Sequence, residues 1–111
     1  VVVDLDALGA ALSAMPTHDV PTGVKPYAFE ARDAVIDKLA ASDKGTRAWV
    51  IAGLPRAMDR MATARRLGAE VVLIDTSREE CEKRIASDPA RAHCIELHNR
   101  IVKQWWEDYK T

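Results

Sequence analysis

The chain has 111 residues, 48% of them hydrophobic and 30% charged, with a formal net charge of -1. That size allows one domain at most, and that balance excludes a disordered polymer. It also supplies no general electrostatic attraction to nucleic acid or to an anionic membrane, and no apolar run approaches the length of a bilayer span.

The chain opens on Val1-Val2-Val3, which reads as a strand buried on both faces and running into an acidic turn at Asp4-Leu5-Asp6. Asp6 to about Ala14 reads as a short helix ending before Met15-Pro16. Thr17 to Pro26 holds two prolines, a third if Pro16 just ahead is counted, plus Gly23, and reads as a loop. From Tyr27 to Ala41 a helical pattern returns, with Phe29, Val35, Ile36 and Leu39 on one stripe. Ser42-Asp43-Lys44-Gly45 closes it, with Gly45 a candidate cap.

A second strand is predicted over Ala48-Trp49-Val50-Ile51-Ala52. After the loop Gly53-Leu54-Pro55-Arg56 comes an arginine-dense helix, Ala57 to Leu67, stopped by Gly68. A third strand is expected over Glu70-Val71-Val72-Leu73-Ile74. Thr76 or Ser77 then caps a helix that runs to Ser87, its positive end facing Glu79 and Glu80. Asp88-Pro89 restarts the chain as N-cap and first helical residue of a long last helix. Ile95, His98, Val102, Trp105 and Tyr109 recur there at spacings of three and four, which makes one face.

Strands alternating with helices predict an α/β fold: a three-layer parallel sheet with flanking helices and a C-terminal helical hairpin. Residues 1–111 then form a single domain, with 78–111 as lid-like and C-terminal helices.

In a parallel sheet, ligands bind outside the carboxyl ends of the strands. Asp4 and Asp6 stand at one such end. Two carboxylates there orient a substrate hydroxyl, take its proton, or hold a metal through water; the structural alternative is that Asp4 ends the strand and Asp6 caps the helix. Arg56 and Arg60 follow the second strand, and a guanidinium there suits a phosphate; the alternative is an ordinary turn and a solvated basic helix. Arg84, Arg91 and Arg100 lie on two helices meeting at Ser87-Asp88-Pro89. They either close over a nucleotide phosphate or pair with Glu80, Glu82 and Glu96.

His18 and Asp19 form a candidate pair in the proline-rich loop. His93, Cys94 and His98 contain zinc-ligand residue types, but their spacing matches no strong zinc pattern, so no metal site is assigned. The two cysteines form no C-x-x-C pair and read as thiols in a reducing, cytoplasmic setting, with a helix-to-helix disulfide as the alternative. Trp105 and Trp106 are adjacent, so one anchors the last helix while the other is free to meet a partner.

Taken together, Val2-Val3-Asp4-Leu5-Asp6-Ala7-Leu8, Ala31-Arg32-Asp33-Ala34, Trp49-Val50-Ile51 with Pro55-Arg56, Gly68 to Asp75, Cys81-Glu82-Lys83-Arg84 and Trp105-Trp106-Glu107-Asp108-Tyr109 carry a resemblance. The chain resembles the part of a small P-loop NTPase that follows the phosphate-binding loop. It is most similar to kinase-like ATP-binding proteins common in phage and prophage genomes, and distantly similar to polynucleotide, shikimate and adenylate kinases. The resemblance implies that Asp4 or Asp6 contacts the phosphoryl acceptor, that Arg84 and Arg91 contact ATP phosphates, and that ATP and Mg2+ are the cofactors.

One part of that pattern is absent. No G-x-x-x-x-G-K-[ST] occurs in the chain, so the nest of amides that cradles a triphosphate is missing, with its lysine and its magnesium-binding hydroxyl. The expectation is a nucleotide-binding, kinase-like domain without its first strand and Walker A loop. It would be inactive alone, or completed by a missing segment or a partner. The alternative is a non-enzymatic interaction module, a possible homodimer joined through its exposed sheet edge. Binding to polynucleotide ends would need only a local groove.

Overall fold

In a computed structural model, residues 1–42 and 45–109 are described. The chain divides into two compact units. One comprises Val1–Ala52 with Arg65–Ala69, the other Gly53–Ala64 with Glu70–Thr111.

The first unit begins with β1 (Val2–Asp4), α1 (Leu5–Ser13) and α2 (Lys25–Ala40), then β2 (Trp49–Ile51). The strands run parallel, with Val2 opposite Trp49, Val3 opposite Val50 and Asp4 opposite Ile51. Parallel neighbours need a crossover, and α1 and α2 supply it. Both helices pack on β1, and α1 packs on α2. Side chains alternate across a strand, so Val3 points into this layer and is 1% exposed while Val2 points out and is 66% exposed. Ala28 of α2 completes the buried core here.

Local chemistry explains the boundaries. Asp4 is the N-cap of α1, its carboxylate accepting from the Asp6 amide at 3.1 Å. At the other end Ser13 Oγ donates to the Gly9 carbonyl at 2.8 Å, and Ala14 adopts φ 56° as a left-handed cap. Gly9 is buried, and a Cβ there would stand 3.2 Å from Val20 Cγ1, so a residue without a side chain lets the loop close on α1. Arg66 forms an ion pair with Asp37.

The second unit holds α4 (Arg78–Ser87) and α5 (Ile95–Asp108), which pack together as a helical hairpin. Ser77 caps α4 by accepting from the Glu80 amide at 3.2 Å. Ile85, 3% exposed, is its buried apolar residue. Ile95, His98, Val102, Trp105 and Tyr109 are all half-buried, so the predicted face of the last helix is the packed one. Leu97 and Ile101, off that face, are exposed. The intervening helix α3 (Ala57–Leu67) has the bounds the sequence predicts.

The structure corrects the expected architecture. The described residues are mostly helical, and their only sheet has two short parallel strands, so this is not a three-layer parallel-sheet α/β fold. Glu70–Ile74 joins no sheet; its apolar residues are exposed, Ile74 by 79%. A strand exists only when a partner satisfies its backbone, which an apolar run cannot guarantee by itself. The two strands that do form are covered on one face, not both, since Trp49 and Ile51 are exposed along with Val2.

Three smaller corrections concern prolines and caps. Pro26 lies in the first turn of α2, where its missing N–H costs nothing, so the helix starts at Lys25 after a short 3-10 turn over Thr22–Val24. Asp88 and Pro89 open a 3-10 turn over Pro89–Arg91 instead of the long helix, which begins only after its N-cap Cys94. α2 ends at Ala40 with Ala41 as its cap; the predicted closing segment includes Asp43 and Lys44, which lie outside the described residues.

Candidate functional site

The candidate carboxylates lie in the first unit. Asp4 is the last residue of β1, half-buried, at the carboxyl end of the parallel pair. One oxygen is committed to the Asp6 amide. Asp6 sits in the first turn of α1 and is exposed, with no hydrogen bond to its carboxylate among the described residues, so it is the freer of the two. The helix-capping role expected for Asp6 belongs to Asp4, two residues earlier.

The candidate arginines lie in the second unit, and they differ in what already occupies them. Arg60 Nη1 donates to the carbonyls of Leu54 and Pro55 at 2.9 and 2.7 Å, and its guanidinium lies 5.3 Å from the centroid of the Tyr109 ring. Tyr109 stacks on Trp105, whose indole closes over Gly53 at 3.8 Å from where a Cβ would stand. Arg60 therefore clamps the loop that carries Arg56 to the aromatic end of α5. Arg56 itself is exposed, and its guanidinium makes no ion pair among the described residues. An anion can therefore reach it, as it can the exposed Arg65 and Arg100.

Arg84 is paired to Glu80 at 3.0 Å, one turn apart on α4, with two-thirds of its side chain exposed. Such surface pairs contribute only about 0.3–0.5 kcal/mol, so a phosphate can displace the carboxylate. Arg91 is half-buried and lies 3.4 Å from Asp88 in the turn between α4 and α5. Arg78 pairs with Glu82 at 2.8 Å. The helices thus hold both signs of charge in alternation, and the expected pairing with Glu80 is present.

A hollow of about 600 Å³ opens at the start of α5, lined by His93, Cys94, Glu96, Leu97 and Arg100 among others. Cys94 Sγ stands 3.6 Å from His98 Nε2. As residue types in the sequence, these side chains point only to zinc. Their spacing of four, which places them on one helix face, is the signal for a contact between them. Among the described residues no group of three or more His, Cys, Asp or Glu side chains converges to hold a metal. Cys81 and Cys94 are free thiols.

These residues do not fit a complete ATP–Mg2+ site. A triphosphate needs a glycine-rich nest of amides with its lysine, and the sequence has no G-x-x-x-x-G-K-[ST]; at the starts of α1 and α4 one amide each is taken by the Asp4 carboxylate and the Ser77 hydroxyl. What the units offer is a carboxylate end and exposed or weakly paired arginines. No protein-family model matches the chain, and no curated protein or solved structure matches it either.

Proposed function

We propose that this chain is the acceptor-binding and arginine-bearing part of a kinase-like, nucleotide-binding phosphoryl-transfer domain, with its triphosphate cradle supplied by residues outside this sequence or by a partner. The observation that supports the reading is Asp4 and Asp6 at the carboxyl end of a parallel strand pair joined through helices. That is where an acceptor hydroxyl is oriented and its proton accepted in phosphoryl transfer. Asp6, uncommitted, is assigned that contact, and Asp4 holds the turn. Arg56, Arg84 and Arg91 are assigned to phosphate oxygens, and Arg60 to positioning Arg56. The resemblance to phage and prophage kinase-like proteins supports the same assignment, and the free thiols fit a reducing, cytoplasmic setting.

Calorimetry with ATP and Mg2+ tests the claim about the cradle: the chain alone is expected to show no binding in the micromolar range, and such binding would refute it. Adding a strand–loop–helix segment that carries G-x-x-x-x-G-K-[ST] is expected to produce ATP turnover that falls with Asp6→Asn. Turnover insensitive to that change, or none from any such segment, removes the phosphoryl-transfer reading.

A second reading rests on a different observation. Val2, Trp49, Ile51 and the run Val71–Ile74 are exposed, and a two-stranded sheet leaves one edge of each strand unpaired. This supports a non-enzymatic module that self-associates through its sheet edge, which light scattering distinguishes from a monomer.

A further inference from the structure

The two thiols of the second unit sit in different surroundings. Cys81 Sγ reaches the Thr76 carbonyl oxygen at 3.9 Å, a group that accepts a weak hydrogen bond but takes no proton. Cys94 Sγ lies 3.6 Å from Nε2 and 3.9 Å from Nδ1 of His98. The pairing is set by the backbone: Cys94 is the N-cap of α5, and the His98 amide donates to the Cys94 carbonyl at 3.0 Å, which fixes the first turn and stacks the two side chains. The sulfur makes no capping bond. Both thiols are half-buried, so access alone does not separate them. Only Cys94 opens into the hollow at the start of α5.

We propose that Cys94 and His98 form a thiol–imidazole pair that makes Cys94 the site of thiol–disulfide exchange with a low-molecular-weight disulfide. A ring nitrogen of His98 takes the Cys94 proton as Sγ attacks one sulfur of the disulfide R–S–S–R. The S–S bond breaks, a Cys94–S–S–R bond forms, and the second sulfur leaves as R–S⁻ with the bonding electron pair. The Cys94 sulfur is oxidised, the leaving sulfur is reduced, and the proton held on His98 passes to the leaving thiolate. A second R–SH reverses the sequence.

The test uses the intact chain with a limiting amount of a bis-aryl disulfide, an acid quench and peptide mapping by mass spectrometry. Cys94 is expected to carry the label about tenfold faster than Cys81, below the roughly hundredfold low end for a well-positioned base because the contact is long. Equal rates, or faster labelling of Cys81, overturn the proposal. His98→Gln is expected to slow Cys94 by a similar factor and leave Cys81 unchanged; an unaltered Cys94 rate overturns the pairing. Should that variant fail to fold, the ratio in the unaltered chain decides alone.

Discussion

Truncating Val3 tests how the first unit is held together. Val3 is 1% exposed, while Val2, its neighbour on the same strand, is 66% exposed. Val3→Ala removes two methyl groups from the packed layer, which costs about 1.6 kcal/mol in transfer free energy. The cavity left under α1 and α2 adds about 1 kcal/mol. A loss of about 2.5 kcal/mol is a large share of the roughly 5–10 kcal/mol expected for a chain of this size. In a urea titration followed by circular dichroism it lowers the midpoint by about 2 M. Val2→Ala removes the same atoms from a solvated surface and is expected to change stability by less than about 0.5 kcal/mol. Hydrogen exchange at the Trp49 amide, which donates to the Val1 carbonyl at 2.8 Å, reports the same loss locally. Equal effects of the two truncations would refute the one-faced packing of β1.

Ser77→Ala leaves the Glu80 amide without its cap and is expected to destabilise α4 by about 1 kcal/mol, read from thermal unfolding, whereas Ser77→Asp retains the cap. Arg60→Ala removes two bonds to carbonyls and the contact with Tyr109, and is expected to cost about 2 kcal/mol while shifting Trp105 fluorescence; an unchanged spectrum would sink the clamp. Gly68→Ala places a side chain at φ 59° and is expected to cost about 1–2 kcal/mol in a denaturant titration, though its Cβ meets no atom within 4 Å.

What the sequence made legible follows from how local each signal is. α3 and α4 emerge with the bounds read from the residues, because caps, Gly68 and helical spacing act within a few positions. The packed face of α5 is legible for the same reason. The valine run is legible as a strand but its one-faced burial is not, and Glu70–Ile74 forms no strand, because pairing and cover are decided by distant residues: the first run finds one partner and one cover, the last neither. Pro26 and Pro89 show the limit of a local breaker rule, since proline at the start of a turn is permissive and only interior proline breaks a helix. At the site, arginines beyond the second strand were legible as residue types. That Arg60 is spent on Leu54 and Pro55 carbonyls was not, because those acceptors are backbone atoms common to every sequence.

The two functional readings separate on the free energy of the exposed apolar run. Val71, Val72, Leu73 and Ile74 are 46–79% exposed, and covering each completely stabilises by about 1–1.5 kcal/mol. One run therefore contributes about 5 kcal/mol, within the 4–15 kcal/mol that association costs. Two copies that cover each other's run gain about 10 kcal/mol, at most about 6 kcal/mol net, so a dimer of this chain alone is marginal, with a dissociation constant no tighter than about 40 μM. If self-association is what the surface serves, the unfolding midpoint rises with protein concentration, by about 1.4 kcal/mol of stability per tenfold once the dimer dominates. Ile74→Asp then abolishes that dependence without destabilising the dilute protein, since Ile74 is 79% exposed. A midpoint constant over a hundredfold range would remove the homodimer. The run would then serve the reading in which a different segment, bearing the phosphate loop, brings the additional contact area that a second copy lacks.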